Sequence, residues 1–438
     1  MKVIPALGPE RPLKLPRTVE RTLANGLTVI AIRRASVPLV EIRLRIPFAK
    51  ANLARTSVLT QTLLSGTAEM STVDIAAELQ KVGGGLSAGA DPDRLLVSGN
   101  ALVAGLDRLL EILSLVLRGA TYPADEVTTE RGRLADRIRV AQSQPAHLAR
   151  VALLKRVYGR HPYAVQTPEP DRVRAVTPGA LRSLHAERVH PLGATLVIVG
   201  DVAPEKAIDA TERALSTWDG DGQKIELPPV PPIEPGPLTL VDRPGSVQSS
   251  LRLALPAVSR THPDHAALQL ANLVFGGYFS SRWVENIRED KGYTYGPHSL
   301  IEHSVAGSAL VVAAEVATEV TGPALLETLY ELGRIASLPP GADELEQARQ
   351  YALGTLRLGM STQSGLAGLA VTYAGFGLRL DYLADHAKRL AKATREDVAA
   401  AAARYLAPSR AATVVLGDAD KVESSLAVLM PLTRVRSE

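Results

Sequence analysis

The sequence predicts an α+β protein made of two homologous domains, each with helices packed on a mostly antiparallel sheet. Two observations support this fold class. One helix–proline–strand pattern occurs twice in the chain, and strand-like and helical segments alternate irregularly in both halves. A chain of 438 residues is also too long for one small core, which agrees with two domains.

The first observation is an internal repeat. TPGALRSLHAERVHPLGATLVIVGD at 177–201 and TREDVAAAAARYLAPSRAATVVLGD at 394–418 share Thr, Pro and Gly-Asp landmarks at a constant offset of 217. In each copy a threonine N-cap opens a helix, a proline ends it, and a β-branched run predicts a buried strand. A weaker echo relates PADEV at 123–127 to GADEL at 341–345, each opening a long helix. Because the offset is about half the chain, we interpret the repeat as a duplication.

A proline-rich segment separates the two halves. Six of the ten residues in 228–237 are proline, which stiffens a segment and is not tolerated in a central strand. We therefore predict an interdomain linker at 219–237, an N-terminal domain at 15–218 and a C-terminal domain at 238–438.

The second observation is the order of elements within each half. In the first half, two strands at 27–34 and 39–47 are expected to form a hairpin. Helices are predicted at 54–66 and 72–85, the second opened by a Ser71/Asp74 capping box, and a strand at 94–102. The second half has the corresponding strand at 249–257 and helices at 263–277 and 345–360.

Composition excludes several function classes. The net charge is 49 − 46 = +3 with no basic run, so neither nucleic acid nor an anionic membrane is indicated as a partner. The absence of cysteine excludes disulfides and thiolate metal sites. No stretch reaches about 18 uninterrupted apolar residues, so no membrane span is expected. The first residues lack the apolar core of a secretory signal, and a cytoplasmic location is expected.

Two motifs suggest chemistry but are better explained as structure. VGGGLSAG at 82–89 contains G-x-G-x-x-A, yet a helix precedes it and a strand follows, the reverse of a dinucleotide site. We interpret it as a glycine helix stop leading into an edge strand. The histidines in HPDH (262–265), HSLIEH (298–303) and HPY (161–163) lack the spacing of a catalytic zinc site. We interpret His262 and Asp264 as helix-capping residues.

The segment NIREDKGYTYG at 286–296 allows two interpretations. As an ordinary helix end, it has Arg288 and Lys291 in the last turn, where cations suit the helix dipole, and Gly292 as the stop. Tyr293 and Tyr295 would then share one face of an extended segment. Alternatively, Arg288 and Tyr295 bind a ligand. The residues by themselves leave both interpretations open.

The chain also resembles a known family. The segments NGLTVIAIRR…PLVEIRLRIP and IAAELQKVGGGLSA, then 158–202 and FGGYFSSRWVENIREDKGYTYG at 275–296, are similar in order to pitrilysin-type (insulinase-like) zinc peptidases. The most similar branch is that of the mitochondrial processing peptidase and its small bacterial relatives. The resemblance covers nearly the whole chain and implies a two-domain fold that forms half of a clamshell-like chamber.

The resemblance implies that this chain lacks the family's metal site. Active members carry H-x-x-E-H before a Gly-Thr, and the corresponding positions are Ser57, Thr60 and Gln61, with Arg137 at the distal glutamate ligand. Hydroxyl and amide groups do not replace imidazole and carboxylate ligands, and an arginine repels a cation. No metal or other cofactor is therefore expected in this chain.

The resemblance also implies a retained function. The family's Arg/Tyr pair, spaced seven apart, matches Arg288 and Tyr295, and in relatives this pair contacts the substrate backbone opposite the zinc. Some bacterial relatives divide the labour between two chains. The implied function is a subunit that binds peptide or unfolded protein for a homologous zinc-bearing partner. An extended substrate is expected to add to the sheet edge at Gly84, Gly85 and Ala88. A non-catalytic structural or peptide-binding scaffold is the alternative.

Overall fold

The computed structural model describes residues 13–220, 222 and 225–436. The first half contains six strands: Thr18–Thr22 (β1), Thr28–Arg33 (β2), Leu39–Pro47 (β3), Gly85–Ala90 (β4), Arg94–Leu102 (β5) and Thr195–Gly200 (β6). Its helices are Leu53–Thr62 (α1), Thr72–Lys81 (α2), Leu106–Gly119 (α3), Ala124–Gln142 (α4), Pro145–Tyr158 (α5), Pro170–Arg174 (α6), Pro178–Arg188 (α7) and Pro204–Leu215 (α8).

The second half repeats this content. Its strands are Leu238–Asp242 (β7), Gln248–Pro256 (β8), His298–Ser304 (β9), Gly307–Ala317 (β10), Ala412–Gly417 (β11) and Leu432–Arg436 (β12). Its helices are His265–Asn272 (α9), Arg282–Val284 (α10), Thr321–Ser337 (α11), Ala342–Gly359 (α12), Gln363–Gly375 (α13), Tyr382–Lys392 (α14), Arg395–Tyr405 (α15) and Ala419–Ala427 (α16).

The two sheets have corresponding strand orders. The first is β1-β2-β6-β3-β5-β4 and the second is β12-β7-β11-β8-β10-β9. Most neighbouring strands are antiparallel, but β2 pairs parallel with β6, and β7 pairs parallel with both β11 and β12. The predicted fold class, with two sheet-and-helix domains, is thus confirmed.

The predicted hairpin of 27–34 with 39–47 is wrong. β6 lies between these strands and pairs with β2 on one side and β3 on the other. Alternating hydrophobicity identified both strands correctly but carries no information about which strand lies beside which. The strand that separates them comes from a segment about 150 residues further along the chain.

The internal repeat predicts structure to the residue. α7 and β6 at 178–188 and 195–200 correspond to α15 and β11 at 395–405 and 412–417, all offset by 217. Thr177 and Thr394 are the predicted N-caps, and each side chain accepts a hydrogen bond from the backbone three residues on. The Ser71/Asp74 capping box is also present at the start of α2.

Each half contributes a helix to the sheet of the other half. Every residue of β6 is buried, with Leu196 and Ile198 in the core of the first domain. The alternate residues Val197 and Val199 pack instead with Leu366 and Val371 of α13. Both faces of this central strand are therefore covered, and the helix on one face comes from the second half of the chain.

The second sheet shows the same arrangement in reverse. Val415 of β11 lies in the core of the second domain. Val414 and Leu416 face the other way and pack with Leu153 and Val157 of α5, which belongs to the first half. The described part of the proline-rich segment has neither helix nor strand, and the carbonyl of Pro228 accepts a hydrogen bond from His161 Nε2 at 2.9 Å. The domain limits given above stay a prediction.

Candidate functional site

The helix that carries Arg288 is anchored by buried side chains. α10 continues directly into a π-helical turn, Glu285–Asp290, and α9 likewise continues into a π-helical turn, Leu273–Gly277. Trp283 and Ile287 are completely buried, and the Trp283 indole donates to Thr328 of α11 at 3.0 Å. π-helical turns are rare and occur often at functional sites because they change the direction in which side chains project.

An arginine–carboxylate pair fixes the start of this helix. Arg282 donates two hydrogen bonds to Glu344 at the start of α12, at 2.6 and 2.7 Å. The backbone N–H of Gly341 donates to the same carboxylate at 2.6 Å. The hydrogen bond from Arg282 lowers the pKa of the Glu344 carboxyl, so this planar pair remains ionised at neutral pH.

The end of the helix is an ordinary glycine stop, as predicted. Gly292 has φ of +65°, and the N–H groups of Lys291 and Tyr293 donate to Asn286 and Ile287 at 3.0 and 2.9 Å. The Lys291 ammonium lies 3.6 Å from Glu327 of α11. Lys291 thus contributes to the helix end.

The prediction that Tyr293 and Tyr295 share one face of an extended segment is wrong. The strand does not begin until His298. Tyr293 packs against the core of the second domain, whereas Tyr295 is 85% exposed. The Thr294 hydroxyl donates to the Glu315 carbonyl of β10 at 2.6 Å. This bond anchors the bend that turns the two tyrosines in different directions.

The structure brings Arg288 and Tyr295 together and adds a residue that the sequence did not indicate. The Arg288 guanidinium carbon lies 4.9 Å from the Tyr295 ring centre and 4.4 Å from the Phe279 ring centre. Phe279 is 57% exposed, although an apolar side chain of that size is usually buried. No sequence signal pairs it with Arg288, because Phe279 lies in the loop before α10.

This packing orients the guanidinium without using its hydrogen-bond donors. Aromatic rings attract the flat faces of a guanidinium, while its N–H groups point outward in the plane. Within the described residues, the carboxylate within ion-pair distance of Arg288 is that of Glu289, 3.2 Å from Nε. The terminal Nη donors therefore remain free for a ligand. The exposed Tyr295 hydroxyl is available as a further donor.

The four positions that the resemblance aligns with zinc ligands and base are occupied by internally bonded side chains. Ser57 and Thr60 donate to backbone carbonyls of their own helix, α1, at 2.8 and 2.9 Å. Arg137 of α4 donates to Gln61 Oε1 of α1 at 2.9 Å. Two of the aligned positions, far apart in sequence, are thus in direct contact. The residues present do not fit a zinc ion, since a guanidinium and an amide lie where imidazole and carboxylate ligands would be required.

The predicted peptide-binding edge is the outermost strand of the first sheet. β4 pairs with β5 on one side only, and Gly85 and Ala88 lie within it. Gly84 precedes it, and a Cβ on Gly84 would lie 2.0 Å from the Asn100 carbonyl oxygen. This glycine is therefore required for the close approach of the two backbones. As predicted, a helix precedes VGGGLSAG and an edge strand follows it.

Two sequence families match the chain. The family described as Insulinase (Peptidase family M16) matches residues 56–171, and the family described as Peptidase M16 inactive domain matches residues 175–351. The matches are consecutive and together extend from the first half of the fold into the second. The chain belongs to peptidase family M16.

Several relatives are similar over much of this chain. An uncharacterized zinc protease of Streptomyces coelicolor is 23% identical over 387 residues, which cover 85% of this chain and 82% of that protein. An uncharacterized zinc protease of Mycobacterium tuberculosis is 25% identical over 366 residues, 81% of this chain and 82% of that protein. The probable inactive metalloprotease YmfF of Bacillus subtilis is 25% identical over 224 residues, 48% of this chain and 50% of that protein.

Solved structures share the fold. A peptidase M16 inactive domain from Pseudomonas fluorescens superposes with a TM-score of 0.84 at 23% identity, covering 91% of this chain and 98% of that one. A protease from Helicobacter pylori gives a TM-score of 0.83 at 19% identity, covering 92% of this chain and 100% of that one. At these identities the likeness concerns the fold alone.

Neither a metal cluster nor a membrane span is found among the described residues. In the part of the chain that the structure describes, no group of three or more His, Cys, Asp or Glu side chains could hold a metal ion. Among the helices of that same part, none is both long enough and apolar enough to cross a membrane.

Proposed function

We propose that this chain is the zinc-free subunit of a heterodimeric metallopeptidase, of the type found in the mitochondrial-processing-peptidase-like branch. The observation that carries the proposal is the asymmetry between the two candidate sites. Arg288 and Tyr295 present free donors on an anchored helix end, whereas the aligned metal positions are bonded to one another or to the backbone. A homologous partner carrying H-x-x-E-H would supply the zinc and the glutamate base.

The chemistry assigned to this chain is positioning and charge stabilisation. A peptide carbonyl gains negative charge on its oxygen as the tetrahedral intermediate forms. The free Nη donors of Arg288 and the Tyr295 hydroxyl can both donate to such an oxygen or to the neighbouring backbone carbonyl. Phe279 acts as a positioning residue, because its contact with the guanidinium restricts the direction of those donors.

The chain would form half of a chamber closed by the partner, with peptides or unfolded segments as substrates. The edge strand at Gly85 and Ala88 offers unpaired backbone groups to which an extended peptide could add. The cytoplasmic location expected from the sequence stays a prediction.

The experiment is reconstitution with an M16 homologue from the same genome that retains H-x-x-E-H. We expect the purified chain alone to cleave no peptide, and the mixture to form a stable complex that cleaves an unstructured fluorogenic peptide. In the complex, Arg288→Ala is expected to lower kcat/KM by about 100-fold or more and Tyr295→Phe by about tenfold or more, as for loss of oxyanion donors.

Matched controls use exposed residues of the same types away from this site. Arg118→Ala on α3 and Tyr330→Phe on α11 are expected to leave the rate unchanged, since both side chains are exposed. Full activity of Arg288→Ala in the complex would remove the site assignment. A homodimer on sizing, with no complex and no cleavage, would favour the alternative of a non-catalytic scaffold.

A further inference from the structure

A cavity that the proposed function does not use lies away from Arg288, in the second domain. This cavity of about 370 Å³, open to solvent on one side, is lined by β9, α9 and the consecutive helices α12, α13 and α14. Its wall combines polar and aromatic side chains with five leucines, Leu273, Leu300, Leu356, Leu369 and Leu390. A cavity of this size accommodates a small organic molecule or the end of a peptide.

Three histidines line this cavity although their sequence positions are far apart. The His265 ring centre lies 5.1 Å from that of His303 and 4.9 Å from that of His386. His265 and His386 are only 2% and 4% exposed. The sequence motifs that contain His265 and His303 gave no indication that these two histidines lie together. His386 lies in neither motif.

The hydrogen bonds assign a neutral tautomer to two of these histidines. The Tyr382 hydroxyl donates to the Arg260 carbonyl at 2.8 Å, so its oxygen accepts from Nδ1 of His265 at 3.4 Å. Nε2 of His265 must then accept from Nε2 of His303 at 3.3 Å. Nδ1 of His303 in turn accepts from the Ser308 hydroxyl at 2.7 Å. Each imidazole proton of this pair is thus already used.

The third histidine has an acceptor without a partner. Nε2 of His386 lies 2.7 Å from Gln269 Oε1 and donates to it. Its Nδ1 is therefore an acceptor, and this atom is buried with no hydrogen-bond partner among the described residues. A buried acceptor in this situation is costly unless a ligand or a water molecule supplies a donor.

The cavity also has an unbalanced positive charge. Its lining includes Arg260 but no aspartate or glutamate of the described residues. The Arg260 guanidinium packs on the rings of Tyr373 and Phe376, at 5.3 and 5.4 Å, and its buried Nε has no hydrogen-bond partner among those residues. No carboxylate of the described residues lies within ion-pair distance of the Arg260 guanidinium. Such an arginine is suited to bind a carboxylate.

The pKa values of the histidines agree with this charge distribution. Burial lowers the pKa of His265 to about 2, of His303 to about 3 and of His386 to about 4. The nearby positive charge of Arg260 contributes to the lowered pKa in all three cases, and that of Arg389 contributes for His265 and His386. At neutral pH the cluster is uncharged, so Arg260 is the fixed charge that a ligand meets in this cavity.

We propose that this cavity is a binding site for an N-acyl amino acid carboxylate with an apolar side chain. Arg260 would bind the carboxylate, the N–H of the acylated nitrogen would donate to Nδ1 of His386, and the leucine-rich wall would contact the side chain. Two sources share this chemistry: a free N-acyl amino acid and the C-terminal residue of a peptide. A peptide could in addition pair with β9, which is the outermost strand of its sheet.

Calorimetric titration of the full chain tests the proposal with four probes. These are N-acetylleucine, N-acetylleucinamide, and a hexapeptide ending in leucine with a free or an amidated C-terminus. We expect saturable one-to-one binding of at least one carboxylate, and binding of its uncharged amide partner weaker by about tenfold or more. Tighter binding of the free-carboxylate peptide than of N-acetylleucine would identify a peptide end as the source. Equal affinities would identify the free acid.

Two variants test the site itself. Arg260→Gln removes the charge and is expected to weaken carboxylate binding by about tenfold or more, whereas Arg118→Gln on the exposed surface of α3 has no effect. Because Arg260→Gln also removes ring contacts, a second variant uses the exposed cavity residue Thr355. Thr355→Trp fills the cavity without changing Arg260 or the histidines and should abolish binding, with an unchanged circular dichroism spectrum.

The proposal is overturned by any of three results: no probe saturates the chain, acid and amide bind equally, or both variants bind as well as the unmodified chain.

Discussion

The two domains share a sheet order but differ in what their polar side chains do. In the first domain, at α1 and α4, the hydroxyls of Ser57 and Thr60 and the Arg137–Gln61 pair satisfy one another or the backbone. In the second domain, Arg288 has free Nη donors, and His386 has a buried acceptor without a partner among the described residues. The duplicated fold therefore does not carry duplicated chemistry.

This difference in hydrogen-bond satisfaction indicates which side chains are available to bind a ligand. A polar group that is already bonded within the protein contributes to structure, and a ligand gains little by competing for it. A side chain that packing holds in place but that lacks a hydrogen-bond partner can bind a ligand with little loss of side-chain entropy. By this criterion the aligned metal positions of the first domain are structural, whereas Arg288 and His386 of the second domain carry groups available for binding.

The largest effect is expected from restoring the aligned metal positions of the first domain. Ser57→His, Thr60→Glu, Gln61→His and Arg137→Glu together place two imidazoles at i and i+4 on α1 and a carboxylate on the adjacent α4, where Arg137 already contacts Gln61. We expect a change from no measurable zinc to one zinc per chain, measured by competition with a chromophoric chelator after dialysis.

The matched control for the zinc experiment keeps Arg137 and changes the other three positions. Its guanidinium should repel the ion, so this variant is expected to bind zinc far more weakly than the fourfold variant. Equal binding by the two variants would contradict the alignment of Arg137 with the distal ligand.

The next effect concerns the helices that the halves exchange. Leu153 of α5 and Leu366 of α13 are 2% and 0% exposed and pack on the sheet of the opposite domain. Each Leu→Ala change should lower the free energy of unfolding by about 2–5 kcal/mol. Chemical denaturation followed by fluorescence and circular dichroism should still show one transition, because each sheet depends on the other half.

The control for the exchanged helices lies on α5 itself. Val151 is 39% exposed, and Val151→Ala is expected to change stability by less than about 1 kcal/mol. Separate unfolding of the two halves would show that the exchange does not couple them.

A smaller effect is the pH dependence from the histidine cavity. Burial lowers the pKa of His386 to about 4, below the ordinary value of 6.5, so below pH 6.5 the unfolded chain binds a proton that the folded chain does not. Its contribution therefore makes the protein less stable as the pH falls from about 6.5 toward 4. His386→Gln keeps a donor for Gln269 and removes this titration.

The expected change for His386→Gln is a decrease of about 1.4 kcal/mol per pH unit in the slope of unfolding free energy between about pH 6 and 4.5. Urea denaturation at several pH values measures it. Thr355→Ser, which changes no titratable group on the same cavity wall, should leave the slope unaltered. An unchanged slope in His386→Gln would mean that this imidazole does not stay neutral in the fold.

The smallest effect is expected at the glycine that ends the Arg288 helix. Gly292 has φ of +65°, and a methyl group added at its Cα would have no neighbouring atom within 4 Å, so Gly292→Ala introduces backbone strain without a clash. A loss of about 1 kcal/mol is expected in thermal unfolding. Gly296→Ala is the control, since Gly296 is equally open but its φ is outside the left-handed region. Equal losses in the two variants would contradict the assigned glycine stop.

Much of the fold could be predicted because its signals are local. The caps at Thr177 and Thr394 and the glycine stop at 292 depend on residues within one turn of each other. The repeat at offset 217 is visible because each copy carries the same local pattern. Strand neighbours could not be predicted in this way. The mistaken hairpin of β2 with β3 shows the reason, since the strand between them is distant in sequence and the alternation of its side chains does not specify a partner.

The candidate sites likewise contain parts that the sequence predicts and parts that only the packing of distant elements creates. Arg288 and Tyr295 are seven residues apart in one short segment. The family resemblance was therefore enough to predict them as a pair from the sequence. Phe279 beside Arg288, the divergence of Tyr293 from Tyr295, and the meeting of the three cavity histidines with Arg260 depend on how distant elements pack.

The sequence by itself thus determined the two-domain α+β class and the repeat, because residue identity and short-range periodicity are sufficient for these. The assignment of Ser57, Thr60, Gln61 and Arg137 to the family's metal positions rests on the resemblance and stays a prediction. Only the tertiary structure decided the strand order, the exchange of α5 and α13 between the halves, and which polar groups are left without partners. Burial and hydrogen-bond satisfaction are properties of contacts between distant segments, and such contacts exist only once the chain has folded.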